Sequence, residues 1–257
     1  MGNARIASLT AVALVLSACP AGPGTGSPDG GPHFFFAQIT DTHVGDKDGQ
    51  QRTQQVVAAL AATAFPLALV VHTGDLAERG DTQDVAKTEL SKIPVPLHVL
   101  PGNHDMMEDA SAQSFVSRWG ALSSSAEYEG VVFLFVYDQA APDYDPLDWL
   151  GKALGAAGEK PVIVFHHEPP VEDFYNNVLH PGWPEEKRQA WTALLEFHHV
   201  VADVAGHFHR DEQHLLGTIP LFVAAPVSGR FGRQAAWRIY EYDSGRLTYR
   251  TQYIEPQ

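Results

Sequence analysis

Five times along this chain an apolar run stops at a small polar knot, and the fold has to accommodate that repetition. The knots are Asp41-Thr42-His43, Gly74-Asp75, Gly102-Asn103-His104-Asp105, His166-His167 and Gly206-His207-Phe208-His209. The runs before them cover residues 34–39, 67–71, 95–100, 162–165 and 200–205. Short apolar runs bounded by turn residues read as buried strands. A single knot of this kind is ordinary turn chemistry. Recurring at successive strand ends, the knots face one crevice, because the carboxyl ends of strands in α/β sheets line the ligand cleft.

The stretches between the runs supply the rest of the architecture. Residues 54–64 carry Val56, Val57, Leu60, Ala61 and Ala64 at helical spacing. Asp81 reads as the N-cap of a helix through Leu90, and residues 110–119 as another helix. Beyond a strand at 131–136, residues 145–154 form a helix with Leu147, Leu150 and Leu154 on one face. Pro184 stands at a first helical position with Glu185 and Glu186 behind it, so a helix runs through Trp191, Leu194 and Leu195. Strands follow at 219–224, 235–242 and 247–254, the last two joined by the hairpin signal Asp243-Ser244-Gly245. The expectation is an α/β fold: a two-sheet β-sandwich flanked by helices.

Composition bounds the remainder. The 257 residues are 44% hydrophobic, enough for one large domain, placed here at residues 33–257. The formal charge of −14 disfavours a nucleic-acid-binding surface, yet it attracts cations. The single cysteine, Cys19, excludes an internal disulfide framework. It follows a one-arginine start and an apolar run at 9–16, the pattern of a signal peptide over residues 1–18. Leu16-Ser17-Ala18-Cys19 resembles the lipobox of bacterial lipoproteins, which implies export and anchoring to the cell envelope by lipid on Cys19. Residues 19–32, rich in Gly and Pro, then form a flexible linker. The membrane is expected to be a partner through that anchor alone.

The ordered knots resemble the calcineurin-like metallophosphoesterases, whose pattern is D-x-H, GD, GNH[DE], H and GHxH. The match runs from Asp41 to His209 and implies the αββα fold of that family. It also implies two divalent or trivalent metal ions, with Mn, Fe and Zn best suited to imidazole and carboxylate donors. By resemblance, Asp41, His43 and His209 hold the first ion. Asp75 bridges, and Asn103, His207 and one of the adjacent pair His166/His167 hold the second. The family's ligand stands two places before a proline, which selects His167 through Pro169, and strand alternation lets only one of the two face the crevice. Two ions about 3.5–4 Å apart lower the pKa of a bridging water and stabilise in-line displacement at phosphorus.

His104 resembles the family's general acid. Gly74-Asp75-Leu76-Ala77-Glu78-Arg79-Gly80 resembles GDxxDRG, where the second acid orients the catalytic histidine and the arginine grips phosphate. Glu78 is one methylene longer than the family's Asp, and Arg79 reads equally well as a solvated ion-pair partner. The implied reaction is hydrolysis of a small phosphoester, by a nucleotide or glycerophosphodiester phosphodiesterase or by a broad phosphatase. The alternative is a catalytically silent, metal-stabilised binding lipoprotein. The loop at 171–183 follows a ligand-bearing strand, so Tyr175, Asn176 and Trp183 are candidate substrate contacts.

Overall fold

The computed structural model describes residues 17–18, 30–107, 112–172 and 182–255. Cys19, Tyr175 and Asn176 lie outside the described residues.

The chain forms two stacked sheets. The first is five-stranded, in the order β12-β11-β2-β3-β4. Its parallel centre is β2 (His33–Ile39), β3 (Leu67–Thr73) and β4 (Leu97–Leu100), and the antiparallel hairpin β11 (Ala236–Asp243) and β12 (Arg246–Tyr253) flanks it. The second holds β5 (Ser124–Tyr128), β6 (Val131–Phe135), β7 (Val162–Phe165), β8 (Val200–Ala205), β10 (Ile219–Val223) and β9 (Glu212–Leu216), in that spatial order. The two-residue β1 (Ser17–Ala18) pairs in parallel with β5 at its edge.

Sequence explains which strands sit where. In β6 and β7 every residue is buried, as parallel strands covered on both faces require. In β12 exposed and half-buried residues alternate, the mark of an edge strand with a wet face. The β11–β12 turn is Ser244-Gly245 at φ 48° and 93°, and positive φ at both positions matches the right-handed strand twist.

Three apolar clusters hold the layers. Phe36, Phe133, Phe165, Leu69, Val204 and Tyr240 interlock between the sheets. Outside the first sheet lie α1 (Gly49–Ala61), α2 (Gln83–Leu90) and α4 (Gln113–Trp119); Val56, Leu60, Leu90 and Phe115 bury against it there. Outside the second lie α5 (Pro146–Ala157) and α6 (Glu185–Phe197), which bury Leu150, Leu154, Trp191 and Leu195. The Asp145 carboxylate caps α5 by accepting from the Asp148 amide at 2.8 Å, with Pro146 at the first turn.

The local departures have physical causes. Thr82, not Asp81, precedes α2, because residues 80–82 wind as a 3₁₀ turn and Asp81 pairs with Arg79 instead. Pro184 is the cap of α6 rather than its first residue. The central stretch is not an open loop. Asn103–Met106 makes one helical turn, α3, tied down by the Asp105 carboxylate, which accepts from the Gly102 amide at 2.9 Å. Strands β5 and β9 are polar and carry no apolar run to announce them.

Candidate metal centre

Every knot sits where its strand ends. Asp41 and His43 follow β2, Asp75 follows β3, Asn103 and His104 open α3 after β4, His167 follows β7, and His207 and His209 follow β8. The loops are stitched to one another. Asp41 N donates to Gly74 O at 3.0 Å, His43 N to Asp75 O at 3.1 Å, and Gly206 N to His167 O at 3.1 Å. Five of the side chains stand on left-handed backbone: Asp41, His43, Asp75, His207 and His209 have φ of 51°, 42°, 56°, 65° and 54°. Such positions cost of order 1–3 kcal/mol each and persist where surrounding structure over-determines them. Glycine gives the room. A Cβ at Gly102 would overlap the Asp75 carboxylate, and one at Gly206 the Thr40 hydroxyl.

The donors form two groups that share one carboxylate. Asp41, His43, Asp75 and His209 converge on one side, and Asp75, His167 and His207 on the other. Asp75 accepts the His104 amide on Oδ1 at 2.9 Å. Its Oδ2 is left 3.6 Å from His43 Nε2 and 3.4 Å from His167 Nε2. Asn103 joins the second group, its Oδ1 lying 3.1 Å from His167 Nε2. Of the adjacent pair, His167 faces the centre, while His166 turns into the second sheet.

The donor chemistry fits cations. His167 Nδ1 lies 2.7 Å from the Thr73 carbonyl and so carries the hydrogen, which turns Nε2 toward Asn103, Asp75 and His207 as an acceptor. His43 Nδ1 lies 2.9 Å from Glu78 Oε2, which turns its Nε2 toward His209 Nε2 at 3.3 Å. Acceptors that face acceptors in a buried space need positive charge between them. The protonation tendencies register that need. Burial lowers the His167 pKa, but Asp75 and Asp41 outweigh it and hold it well above the ordinary value. Burial raises Asp75, yet His167 and His43 pull it well below the carboxylate range. Burial, then the His167 charge, pushes His207 down to about 3. A metal ion on each side would supply the missing charge, and neutral imidazole with ionised carboxylate is the form that binds metal.

His104 stands at the opening, its ring edge-on to His43 at 4.7 Å, and it lines a cavity of about 290 Å³ with Gln83, Asp105, Phe115 and Arg118. Asp105, buried beside Asp75, is pushed up to about 6 by burial and then by that neighbouring charge. It clamps the loops together by accepting from the Leu76 amide at 3.1 Å and from Gln83 Nε2 at 2.7 Å.

Glu78 reaches two histidines: its carboxylate lies 3.6 Å from His104 Nδ1 and 2.9 Å from His43 Nδ1, and both terminal nitrogens of Arg230 grip it. Two expectations need correction. Arg79 points away from the centre to pair with Asp81 at 3.3 Å, and its side chain is 62% exposed. Trp183 is a core residue rather than a wall of the cleft. It is 5% exposed and packs edge-on to Trp191 at 5.2 Å, with the Lys187 ammonium over its ring.

Arg230 and Asp138 have no motif to reveal them. Arg230 follows β10 and reaches the centre through Glu78 and His43. Asp138, after β6, accepts the His167 amide at 3.0 Å and so fixes that ligand's backbone. A lone arginine in a Ser-Gly-Arg-Phe-Gly turn and a lone aspartate after an apolar run carry no signal without the tertiary contacts.

The sequence profile described as calcineurin-like phosphoesterase matches residues 36–211. The chain is 27% identical to a probable glycerophosphodiester phosphodiesterase, GpdQ, of Arcobacter nitrofigilis, over 76% of this chain and 79% of that one. It is 22% identical to the 3′,5′-cyclic adenosine monophosphate phosphodiesterase CpdA of Pseudomonas aeruginosa, over 77% of each. Among solved structures, a dimetal phosphatase from Danio rerio shares the fold, with a TM-score of 0.67 at 14% identity, covering 85% of this chain and 95% of that one.

Proposed function

Because this chain belongs to the calcineurin-like phosphoesterase family, we propose that it is a two-metal hydrolase of small phosphodiesters. The observation that carries this reading is the pair of donor groups hinged on Asp75, with His104 at their opening. Asp41, His43, Asp75 and His209 would hold one ion, and Asp75, Asn103, His167 and His207 the other. Metal bound there would supply Lewis-acid stabilisation of phosphoryl charge and activate water at neutral pH.

The chain's own residues do the rest. His104, its amide fixed on Asp75, hands a proton to the departing alkoxide from its open side. The Glu78 carboxylate, itself gripped by Arg230, accepts from His43 Nδ1, so the Nε2 lone pair stays turned to the centre. Thr73 O does the same for His167. The names of the relatives, glycerophosphodiester and cyclic-nucleotide phosphodiesterases, favour a diester over a monoester.

The test compares bis-p-nitrophenyl phosphate with p-nitrophenyl phosphate, with and without Mn²⁺. The expected outcome is metal-dependent hydrolysis that favours the diester. Asp75→Asn should lower it by about 10³-fold, roughly 4 kcal/mol of transition-state stabilisation. Metal binding with no turnover of either ester would leave a silent binding protein instead.

We also propose that the protein is an envelope lipoprotein held through Cys19, supported by Leu16-Ser17-Ala18-Cys19 after an apolar run and by the Gly/Pro-rich linker behind it. Cys19→Ser should release it from the membrane fraction; a variant that stays bound refutes the anchor.

A further inference from the structure

Among the described residues, three aromatic side chains are largely exposed: Phe197, Phe231 and Tyr253. Of these, only Phe231 touches a candidate metal ligand. Its ring stacks on His209 at 5.2 Å between centroids and 28° between planes, while the residue stays 77% exposed. The turn that carries it is fixed to the centre. Ser228 N donates to Asp41 O at 3.1 Å, and Arg230, one residue before Phe231, reaches His43 and Glu78.

Folding gives no account of this residue. Phe231 sits in left-handed backbone at φ 58°, ψ 26°, an outlier for a bulky side chain. An exposed ring recovers little of that strain through burial. Strain of order 1–3 kcal/mol that is retained beside a reactive centre points to use there. The Arg230 guanidinium, paired with Glu78, lies 5.2 Å from the Phe231 ring centroid, so the mouth at His209 offers a flat apolar face beside the candidate metal ligands. A nucleotide has the matching parts, a planar base joined to a phosphate. A glycerol or ethanolamine ester has no ring to place on that face.

Resting on the two-metal phosphodiesterase reading, we propose that Phe231 is a stacking platform for a planar aromatic group of the substrate, which makes nucleotide phosphodiesters the substrate class of this centre. The expected size is that of one base–aromatic stack, about tenfold in affinity within a spread of roughly 5- to 150-fold. Trp183 does not supply that face, because its ring is committed to Trp191 and the core.

The experiment measures kcat and KM of the Mn²⁺-loaded full chain on 3′,5′-cyclic AMP and on glycerophosphoethanolamine. Wild type is compared with Phe231→Ala, Phe231→Leu and Phe231→Trp, with bound metal measured in each. The proposal expects the ratio of the two kcat/KM values to shift against the nucleotide by about tenfold in the Ala variant. Most of that shift should lie in KM, with less in Leu and recovery in Trp. It is overturned if the ratio stays put while metal content holds, or if wild type cleaves only the glycerol ester. Should wild type cleave neither ester nor bis-p-nitrophenyl phosphate, the hydrolase reading itself fails, a result separable from an unmoved ratio.

Discussion

The two sheets each place histidines behind the candidate metal centre, and the surroundings push their proton affinities in opposite directions. Behind the first sheet's ligands, His72 shares a hydrogen bond of 2.9 Å with the Thr42 hydroxyl, and burial pushes its pKa down to about 3. His98 stacks on Phe135 at 4.5 Å, and burial pushes it down to about 4. Behind the second sheet's ligands, His166 lies 3.0 Å from an Asp203 oxygen and 3.6 Å from an Asp138 oxygen. Burial would lower it too, but those carboxylates carry it up to about 9. The lesson is that burial alone sets no charge state; the company a histidine keeps decides between neutral packing and a buried cation. The first sheet uses neutral rings as core, and the second spends a charge to pin the His167 backbone through Asp138.

The largest expected effect comes from removing that buried cation. His166→Leu removes the group that both Asp138 and Asp203 lie against, and stranding a buried ionic partner costs about 3–5 kcal/mol. Urea denaturation should register that loss. An unchanged midpoint would mean that the cluster is neutral and the contrast between the sheets is false.

A second test works at the ligands themselves. His43 is backed by a carboxylate paired with a guanidinium, whereas His167 is backed by a neutral carbonyl. Glu78→Gln should therefore weaken Mn²⁺ on the His43 side alone, by about 10–100-fold, the usual effect of losing a ligand's orienting partner. Arg79→Ala should leave both titration steps unchanged, since exposed pairs contribute about 0–1 kcal/mol. Equal weakening of both steps by Glu78→Gln would dissolve the distinction between the two sides.

The third contrast shows in acid. A histidine whose folded pKa is depressed takes up its proton first in the unfolded chain. Stability therefore falls as pH drops from 6.5, the ordinary value, toward about 4. For His98 the expected loss across that window is about 2–3 kcal/mol. His98→Phe should flatten that limb in melts between those pH values, and an unaltered slope would place the acid sensitivity elsewhere.

These contrasts separate what the sequence displays from what it hides. The donors of the centre were legible because each follows an apolar run directly, so that locating a strand end also locates a ligand. Between His166 and His167, alternation of strand faces says only that one of the two faces the crevice; the preference for His167 rests on Pro169 and the family resemblance. Glu78 is legible from its place in the segment Gly74 to Gly80, whereas its contact with His43 is not, because that pairing is made only in the folded chain. Arg79 was read from a neighbour's motif, whereas the guanidinium that reaches the centre comes from Arg230, far along the chain. The Asp138–His166–Asp203 cluster joins the ends of two strands to the interior of a third and has no local signature. Strands β5 and β9 escaped because Ser124-Ser125-Ala126-Glu127-Tyr128 and Glu212-Gln213-His214-Leu215-Leu216 are defined by the partners they pair with rather than by their own hydrophobicity.

Asp75 belongs to both donor groups, and this has an evolutionary corollary. A lineage cannot discard one ion by altering the shared carboxylate and still keep the other as it was. Descendants that drift toward a mononuclear centre must do so through the outlying donors, Asn103 and His207 on one flank or Asp41 and His209 on the other. A change at the hinge disturbs both donor groups at once.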